Sequence, residues 1–71
     1  MLILADYKVI NLDTVTMFNR YDDDRIYFHH SDTDKSTLYF KVKERRDEIF
    51  ECILKCYCEG TKVLQIKEYS E

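Results

Sequence analysis

The sequence predicts a small α+β domain, because its pattern of apolar residues changes period once along the chain. Residues 25–42 alternate between the two sides of an extended chain, which is typical of strands with one buried face. Between residues 44 and 59 the apolar side chains instead form one stripe of an α-helix, at Ile49, Phe50, Ile53, Leu54 and Tyr57. We therefore expect an antiparallel meander of four or five strands, one amphipathic helix packed on one face of it, and a C-terminal strand after the helix.

Length and composition limit the chain to one domain, residues 1–71. A chain this short buries only about 60% of its unfolded surface, so its core is thin. Hydrophobic residues make up 45% of the sequence and include six Tyr and four Phe, which is enough apolar material for one core. This content argues against disorder, although 35% of the residues are charged.

The strand boundaries are predicted from clusters of Asp, Asn, Ser and Thr, because the chain has no Pro and a single Gly. Three aspartates at residues 22–24 separate two strands, and residues 31–36 separate the next two. A bend at residues 11–14 follows one or two short strands. Gly60 suits the C-terminal cap of the helix, and residues 62–68 are then expected to form the final strand.

The register of the second hairpin follows from its apolar residues. Ile26 and Phe28 should share a face with Leu38 and Phe40, since directly opposed residues lie on the same face of a sheet. Phe28 is therefore expected to pair with Leu38 or Phe40. This apolar face would meet the helix.

The first hairpin allows two registers. A two-residue loop would place Val15 and Met17 inside and Phe18 outside, whereas a three-residue loop would reverse these positions. The aspartates of the turn do not distinguish between the two registers.

The other face of the sheet is the strongest functional lead, because the helix leaves it uncovered. The residues expected there are Tyr27, His29, Tyr39 and Lys41, with Phe18 or Val63 as further neighbours. Contiguous aromatic surface of a few hundred Å² commonly marks an association site, and Tyr is enriched at interface cores. We predict a non-catalytic interaction module that forms a homodimer or other homo-oligomer, or binds a protein partner, through this face.

A nucleic-acid-binding accessory protein is the alternative prediction. The basic residues Lys41, Lys43, Arg45 and Arg46 lie close together and follow the strand that carries Tyr39. Aromatic side chains beside cations are the components of single-strand binding platforms. The chain as a whole has a net charge of −3, which disfavours a partner bound through its phosphates.

The sequence contains no Gly-rich phosphate loop and no nucleophile motif, and we predict no catalytic residue. A small ribonuclease that uses His29, Lys41 and Tyr39 is the enzymatic alternative, because these residues are expected on one face.

Metal and cofactor sites are not expected either. His29 and His30 are neighbours on a strand and would point to opposite faces. Cys52, Cys56 and Cys58 lack the second ligand pair that a zinc site usually has.

Three clustered cysteines do not form a disulfide framework and favour a reducing compartment, so we expect a cytoplasmic protein. The apolar residues 1–5 are too few to span a membrane and lack the basic flank of a signal peptide. No membrane association is predicted.

The order of these features resembles a group of small bacterial proteins, often encoded by phages and mobile elements. The similarity lies in the short first strand, the bend at residues 11–15, the meander, and a helix that begins near Glu44 and Arg45. It covers most of the chain. The resemblance implies the meander-plus-helix layout and a mobile-element origin, but no assigned activity and no functional residues.

Overall fold

The chain forms six strands in two three-stranded sheets, with one α-helix, over the residues described in this computed structural model, 1–5, 8–31 and 33–66. In chain order the elements are β1 (Leu2–Leu4), β2 (Val9–Asn11), a 3-10 turn (Leu12–Thr14), β3 (Met17–Tyr21), β4 (Arg25–His29), β5 (Lys35–Tyr39), α1 (Lys43–Cys58) and β6 (Val63–Gln65). The α+β class is confirmed. The expected single meander sheet is wrong, because β1, β2 and β6 form a sheet of their own.

The first sheet has the order β2-β1-β6. Its central strand pairs antiparallel with β2, where Ile3 opposes Ile10, and parallel with β6, where Ile3 opposes Leu64. A parallel pair needs a long crossover, which the intervening chain with α1 supplies. The final strand was expected over residues 62–68; it spans Val63–Gln65, and residues 67 and 68 lie outside the described part of the chain.

The second sheet is the antiparallel meander β3-β4-β5. Tyr21 opposes Arg25 across a three-residue loop, so the first hairpin adopts the longer of the two loops considered. Phe18 consequently opposes Phe28 on the inner face and stacks on it with 5.8 Å between ring centroids. Asp22 begins the loop with a φ of +51°, a left-handed conformation that Asp tolerates better than most side chains.

The second hairpin places Ile26 opposite Leu38, on the expected face. Phe28, however, opposes Ser36, so the predicted pairing with Leu38 or Phe40 is wrong. The loop is shorter than expected because the amide of His30 already donates to the carbonyl of Asp34 at 2.8 Å. A shift of two residues leaves every side chain on its face, which is why the inward positions were still identified correctly.

The core lies between the helix and the inner faces of the two sheets. Its buried residues are Ile3, Ile10, Leu12, Ile26, Phe28, Leu38, Phe40, Ile49, Ile53 and Ile66. The helix contributes Ile49 and Ile53 fully, and Phe50 in part, against Phe18. Leu54 and Tyr57 were expected inside but are 37% and 58% exposed, because they line a surface groove rather than the core.

The helix ends at a Schellman motif. Thr61 donates to the carbonyl of Cys56 at 2.9 Å and Gly60 to that of Tyr57 at 3.2 Å. Gly60 has a φ of +77°, as the C-terminal cap requires. At the other end Val42 occupies the N-cap position and provides no side-chain hydrogen bond.

Candidate interaction face

The outer face of the second sheet carries nine side chains, three from each strand, and is called the tyrosine face below. Its members are Met17, Asn19 and Tyr21 on β3, Arg25, Tyr27 and His29 on β4, and Lys35, Thr37 and Tyr39 on β5. They point away from α1 because the alternate positions of the same strands lie in the core. Met17, Tyr21 and Tyr39 are the exposed hydrophobic side chains of this face.

Aromatic and cationic side chains of the tyrosine face contact one another in a connected network. Tyr21 stacks on Tyr27 with 4.8 Å between ring centroids. The Arg25 guanidinium lies 5.5 Å from the Tyr21 ring and 5.4 Å from the Tyr39 ring, and Arg25 also donates to the Tyr27 hydroxyl at 3.0 Å. The Lys35 ammonium lies 4.2 Å from the centre of the Tyr27 ring. These contacts restrict the rotamers of the side chains in the network.

His29 extends this network toward β3. Its Nε2 lies 2.8 Å from Oδ1 of Asn19, and its ring meets the Tyr27 ring edge-on at 6.1 Å. Asn19 in turn donates from Nδ2 to the backbone carbonyl of Arg20 at 3.0 Å. His29 is therefore oriented by its neighbours and is half-buried.

Three of the four predicted face residues, Tyr27, His29 and Tyr39, lie on the tyrosine face. Lys41 lies beyond the C-terminal end of β5, at the end of the sheet where Tyr39 opposes Arg25. The further neighbours were wrongly placed: Phe18 lies on the inner face and Val63 belongs to the first sheet.

The residues of the enzymatic alternative are not brought together. His29 opposes Lys35 at one end of the sheet, whereas Tyr39 opposes Arg25 at the other end. Four residues of strand separate the two ends by about 13 Å. His29 and Tyr39 thus share the tyrosine face without forming one site, and Lys41 lies outside that face.

Most of the predicted basic run is paired with carboxylates of its own helix. Lys43 contacts Asp47 at 3.0 Å, and Arg45 contacts Glu48 at 3.1 Å. Arg46 is only 3% exposed and donates from Nε to Asp47 at 2.8 Å. Hydrogen bonds from Lys43 and Arg46 lower the pKa of Asp47 to about 2, so this carboxylate stays charged at neutral pH. Three of the four candidate nucleic-acid contacts therefore lie beside a negative charge.

The edge strands of the second sheet are partly capped by side chains. Lys8 donates from Nζ to the carbonyl of Thr37 on β5 at 2.7 Å. The Asn19 amide caps the carbonyl of Arg20 on β3 in the same manner. Each of these hydrogen bonds occupies one carbonyl that an added strand would need.

The charges of the tyrosine face differ in sign from those of the whole chain. Arg25 and Lys35 are the charged members of the face, and none of its nine residues carries a carboxylate. The turn that joins β3 to β4 consists of Asp22, Asp23 and Asp24 and lies at one end of the face. Arg25 contacts Asp24 at 3.3 Å and Asp22 at 4.0 Å.

The other residues considered for metal binding or reactivity are His30 and the three cysteines. Nε2 of His30 lies 2.9 Å from the hydroxyl of Ser36. The cysteines are unpaired, and partial burial together with the Cys56 thiol raises the pKa of the Cys52 thiol, which makes it a poorer nucleophile. Among the described residues no three His, Cys, Asp or Glu side chains are placed to hold a metal ion.

Two apolar surfaces were not anticipated from the sequence. The outer face of the first sheet presents Leu2, Leu4, Val9 and Val63, of which Val9 is 63% exposed. A groove of about 240 Å³ lies beside the helix and is lined by Leu12, Val15, Thr16, Met17, Phe18, Leu54 and Tyr57. The alternation within residues 2–4 is too short to indicate the outer face of the first sheet. The groove was missed because its helix residues, Leu54 and Tyr57, were expected in the core.

Comparison of the chain with protein-family models, curated proteins and solved structures gave no match. In the described part of the chain, no helix is both long and apolar enough to cross a membrane.

Proposed function

We propose that this protein is a non-catalytic interaction module and that the tyrosine face is its protein-binding surface. The observation that carries the proposal is the connected network in which Arg25 lies against Tyr21 and Tyr39 while Lys35 covers Tyr27. Tyr and Arg are enriched at binding hot spots because they combine large contact area with polar groups. A face whose side chains are already ordered loses little side-chain entropy on binding.

Binding to nucleic acid is the less supported alternative. Bases would need the ring faces of the tyrosines, but Lys35 and Arg25 already occupy positions over them. The three aspartates at residues 22–24 border the same face and would repel phosphates. The neighbouring cations Lys43 and Arg46 both contact Asp47.

The test is site-specific photocrosslinking in cells that produce the protein. A benzophenone amino acid replaces Tyr39 on the tyrosine face in one variant and Tyr57 on the helix in the other. These tyrosines are a matched pair, since both are exposed and only one belongs to the face. Nuclease treatment before electrophoresis separates protein adducts from nucleic-acid adducts.

The proposal predicts a discrete nuclease-resistant adduct from position 39 and none from position 57. The adduct should disappear when Arg25→Ser is added, because the network then loses its central cation. Equal crosslinking from both positions, or an adduct that nuclease removes, would overturn the proposal. Circular dichroism and urea unfolding of each variant establish that the fold is retained.

A further inference from the structure

Two cysteines of the helix form a pair at its surface. Cys52 and Cys56 are four residues apart in α1, so they follow each other along one side of the helix. Cys52 is exposed and Cys56 is partly exposed, and their thiols lie close enough to interact through a hydrogen bond. Solvent therefore reaches two sulfur atoms that the helix backbone holds next to each other.

The third cysteine, Cys58, does not belong to this pair. It lies two residues beyond Cys56, and residues i and i+2 of a helix do not face each other. At 3.6 residues per turn it is also rotated by about 120° around the helix axis from Cys52. The helix thus carries a third exposed thiol that cannot join the other two and serves as their internal comparison.

A disulfide does not suit the pair while the helix is intact. Side chains at positions i and i+4 have their Cβ atoms about 5–6 Å apart. A disulfide needs these atoms about 3.5–4.5 Å apart. A metal ion placed between the two sulfur atoms spans the larger gap, because each metal–sulfur bond adds about 2.3 Å. The helical spacing therefore favours a bridging ion over a sulfur–sulfur bond.

The number of ligands selects the metal. Thiolates prefer Cu(I), Zn(II) and iron–sulfur clusters. Structural zinc and iron–sulfur clusters take four protein ligands, and no three His, Cys, Asp or Glu side chains are placed for an ion in the part of the chain that the structure describes. Cu(I) is a soft ion that two thiolates satisfy. The sequence indicated no zinc site for want of a second ligand pair, and Cu(I) does not require one.

The charges around the pair suit a complex of this kind. When Cu(I) binds, the two thiols release their protons to solvent and both sulfur atoms bond to copper, without a change of oxidation state. The product, one Cu(I) with two thiolates, carries a single negative charge. The positive charges of Lys55 and Arg45 act on Cys52 in the direction that favours its thiolate, and they would offset this charge.

We propose that Cys52 and Cys56 form a binding site for one Cu(I) ion, which is held between their two thiolates at the surface of α1. After the first thiolate binds, the second binds within the same molecule, and this raises the affinity over that of a single thiol by about 10²–10⁴. The tyrosine face lies on the side of the second sheet away from α1, so the copper site and the proposed function succeed or fail independently.

Competition for Cu(I) tests the site. The reduced protein is titrated, in the absence of oxygen, into Cu(I) bound to bicinchoninate, whose colour fades as the protein removes the ion. The wild-type protein and Cys58→Ser should each take up one Cu(I) per chain. Cys52→Ser and Cys56→Ser should each weaken the affinity by about a hundredfold or more, because only single thiols remain.

A change of spacing distinguishes a paired site from a mere supply of thiols. The double variant Cys52→Ser with Glu51→Cys keeps three cysteines but has none four residues before Cys56. It should bind Cu(I) as weakly as Cys52→Ser alone. Residues 51 and 52 are both exposed, so the fold should tolerate the exchange. Circular dichroism checks the helix in every variant, and Cys56→Ala replaces Cys56→Ser if the latter unfolds.

X-ray absorption of the loaded wild-type protein should show two sulfur neighbours around copper. No uptake by the wild-type protein, or an affinity that survives Cys52→Ser or the change of spacing, would overturn the site. One copper shared by two chains, or an uptake that Cys58→Ser abolishes, would overturn it too. Preferential binding of Zn(II) by the wild-type protein would contradict the assignment to Cu(I).

Discussion

Arg46 is a buried cation that joins the helix to the first hairpin. Its Nη1 donates to the backbone carbonyls of Arg25 at 2.9 Å and Tyr21 at 3.3 Å, while Nε contacts Asp47. Both carbonyls flank the aspartate turn, so a single side chain fixes the position of that turn relative to the first turn of the helix. Burial of an arginine to 3% exposure is tolerated because these partners accept hydrogen bonds from its Nε and Nη1.

We predict that Arg46→Ala lowers the free energy of unfolding by about 2–3 kcal/mol, because the two carbonyls lose a charged donor and the apolar stem leaves a gap. Lys55→Ala, on the same helix, serves as the control. Lys55 is exposed, and the loss should stay below about 1 kcal/mol. Urea unfolding measures both, and equal losses would show that Arg46 does not join helix and hairpin.

The role of Arg46 could not be predicted from the sequence, where it belongs to a run of cations that resembles a solvated surface. Burial of a charged residue depends on where distant acceptors lie, here the carbonyls of Tyr21 and Arg25. The positions of Tyr27 and Tyr39, by contrast, could be predicted from the sequence. Alternation along a strand already indicates which side chains share a face, and it placed Tyr27 and Tyr39 correctly.

At the scale of elements, the helix begins without a side-chain cap. Val42 has the extended backbone of an N-cap residue, with φ −123° and ψ 128°, but an apolar side chain that is 52% exposed. The first amides of the helix therefore lack the acceptor that Asp, Asn, Ser or Thr would provide.

We predict that Val42→Asp raises the free energy of unfolding by about 1 kcal/mol, because the carboxylate accepts from a helix amide and interacts favourably with the helix dipole. Val42→Ala separates this effect from the loss of the valine side chain and should change stability little. Urea titrations at neutral pH are the measurement. If the Asp variant were no more stable than the Ala variant, the capping interpretation would be wrong.

The positions of the strands and the helix along the chain were predicted better than the contacts between them. The change of period located β4, β5 and the helix, and Gly60 marked the end of that helix. Periodicity shows which helix residues form a stripe, but not how much of the stripe a neighbouring sheet covers. Leu54 and Tyr57 were therefore assigned to the core and lie at its margin instead.

At the scale of the whole molecule, the first sheet depends on residues far apart in the chain. Leu2 and Val63 are neighbours in it, as are Leu4 and Gln65. Short strands of three residues carry little sequence signal, and nothing in a local pattern states which distant strand they join. The single predicted sheet was wrong for this reason. The meander, by contrast, is built from hairpins between consecutive strands.

The contrast between the long-range contacts of the first sheet and the local contacts of the meander predicts a folding order. Ile66→Val and Ile26→Val remove the same methylene from residues that are 3% and 0% exposed, and each should cost about 0.5–1.5 kcal/mol. Contacts of the meander close short loops, whereas Ile66 meets the first strand only across most of the chain. Stopped-flow kinetics should give a φ-value near zero for Ile66 and about 0.5 or more for Ile26. Equal φ-values would contradict the order.

The parallel pairing of β1 with β6 also affects when the first sheet can be completed during synthesis. During synthesis, about 26 residues separate the completion of the meander at Phe40 from the arrival of Ile66, which takes about 1–5 s at ordinary rates of elongation. Hairpins form in about 1–10 μs. The strands that carry the tyrosines are thus synthesised seconds before β6, the strand that completes the first sheet.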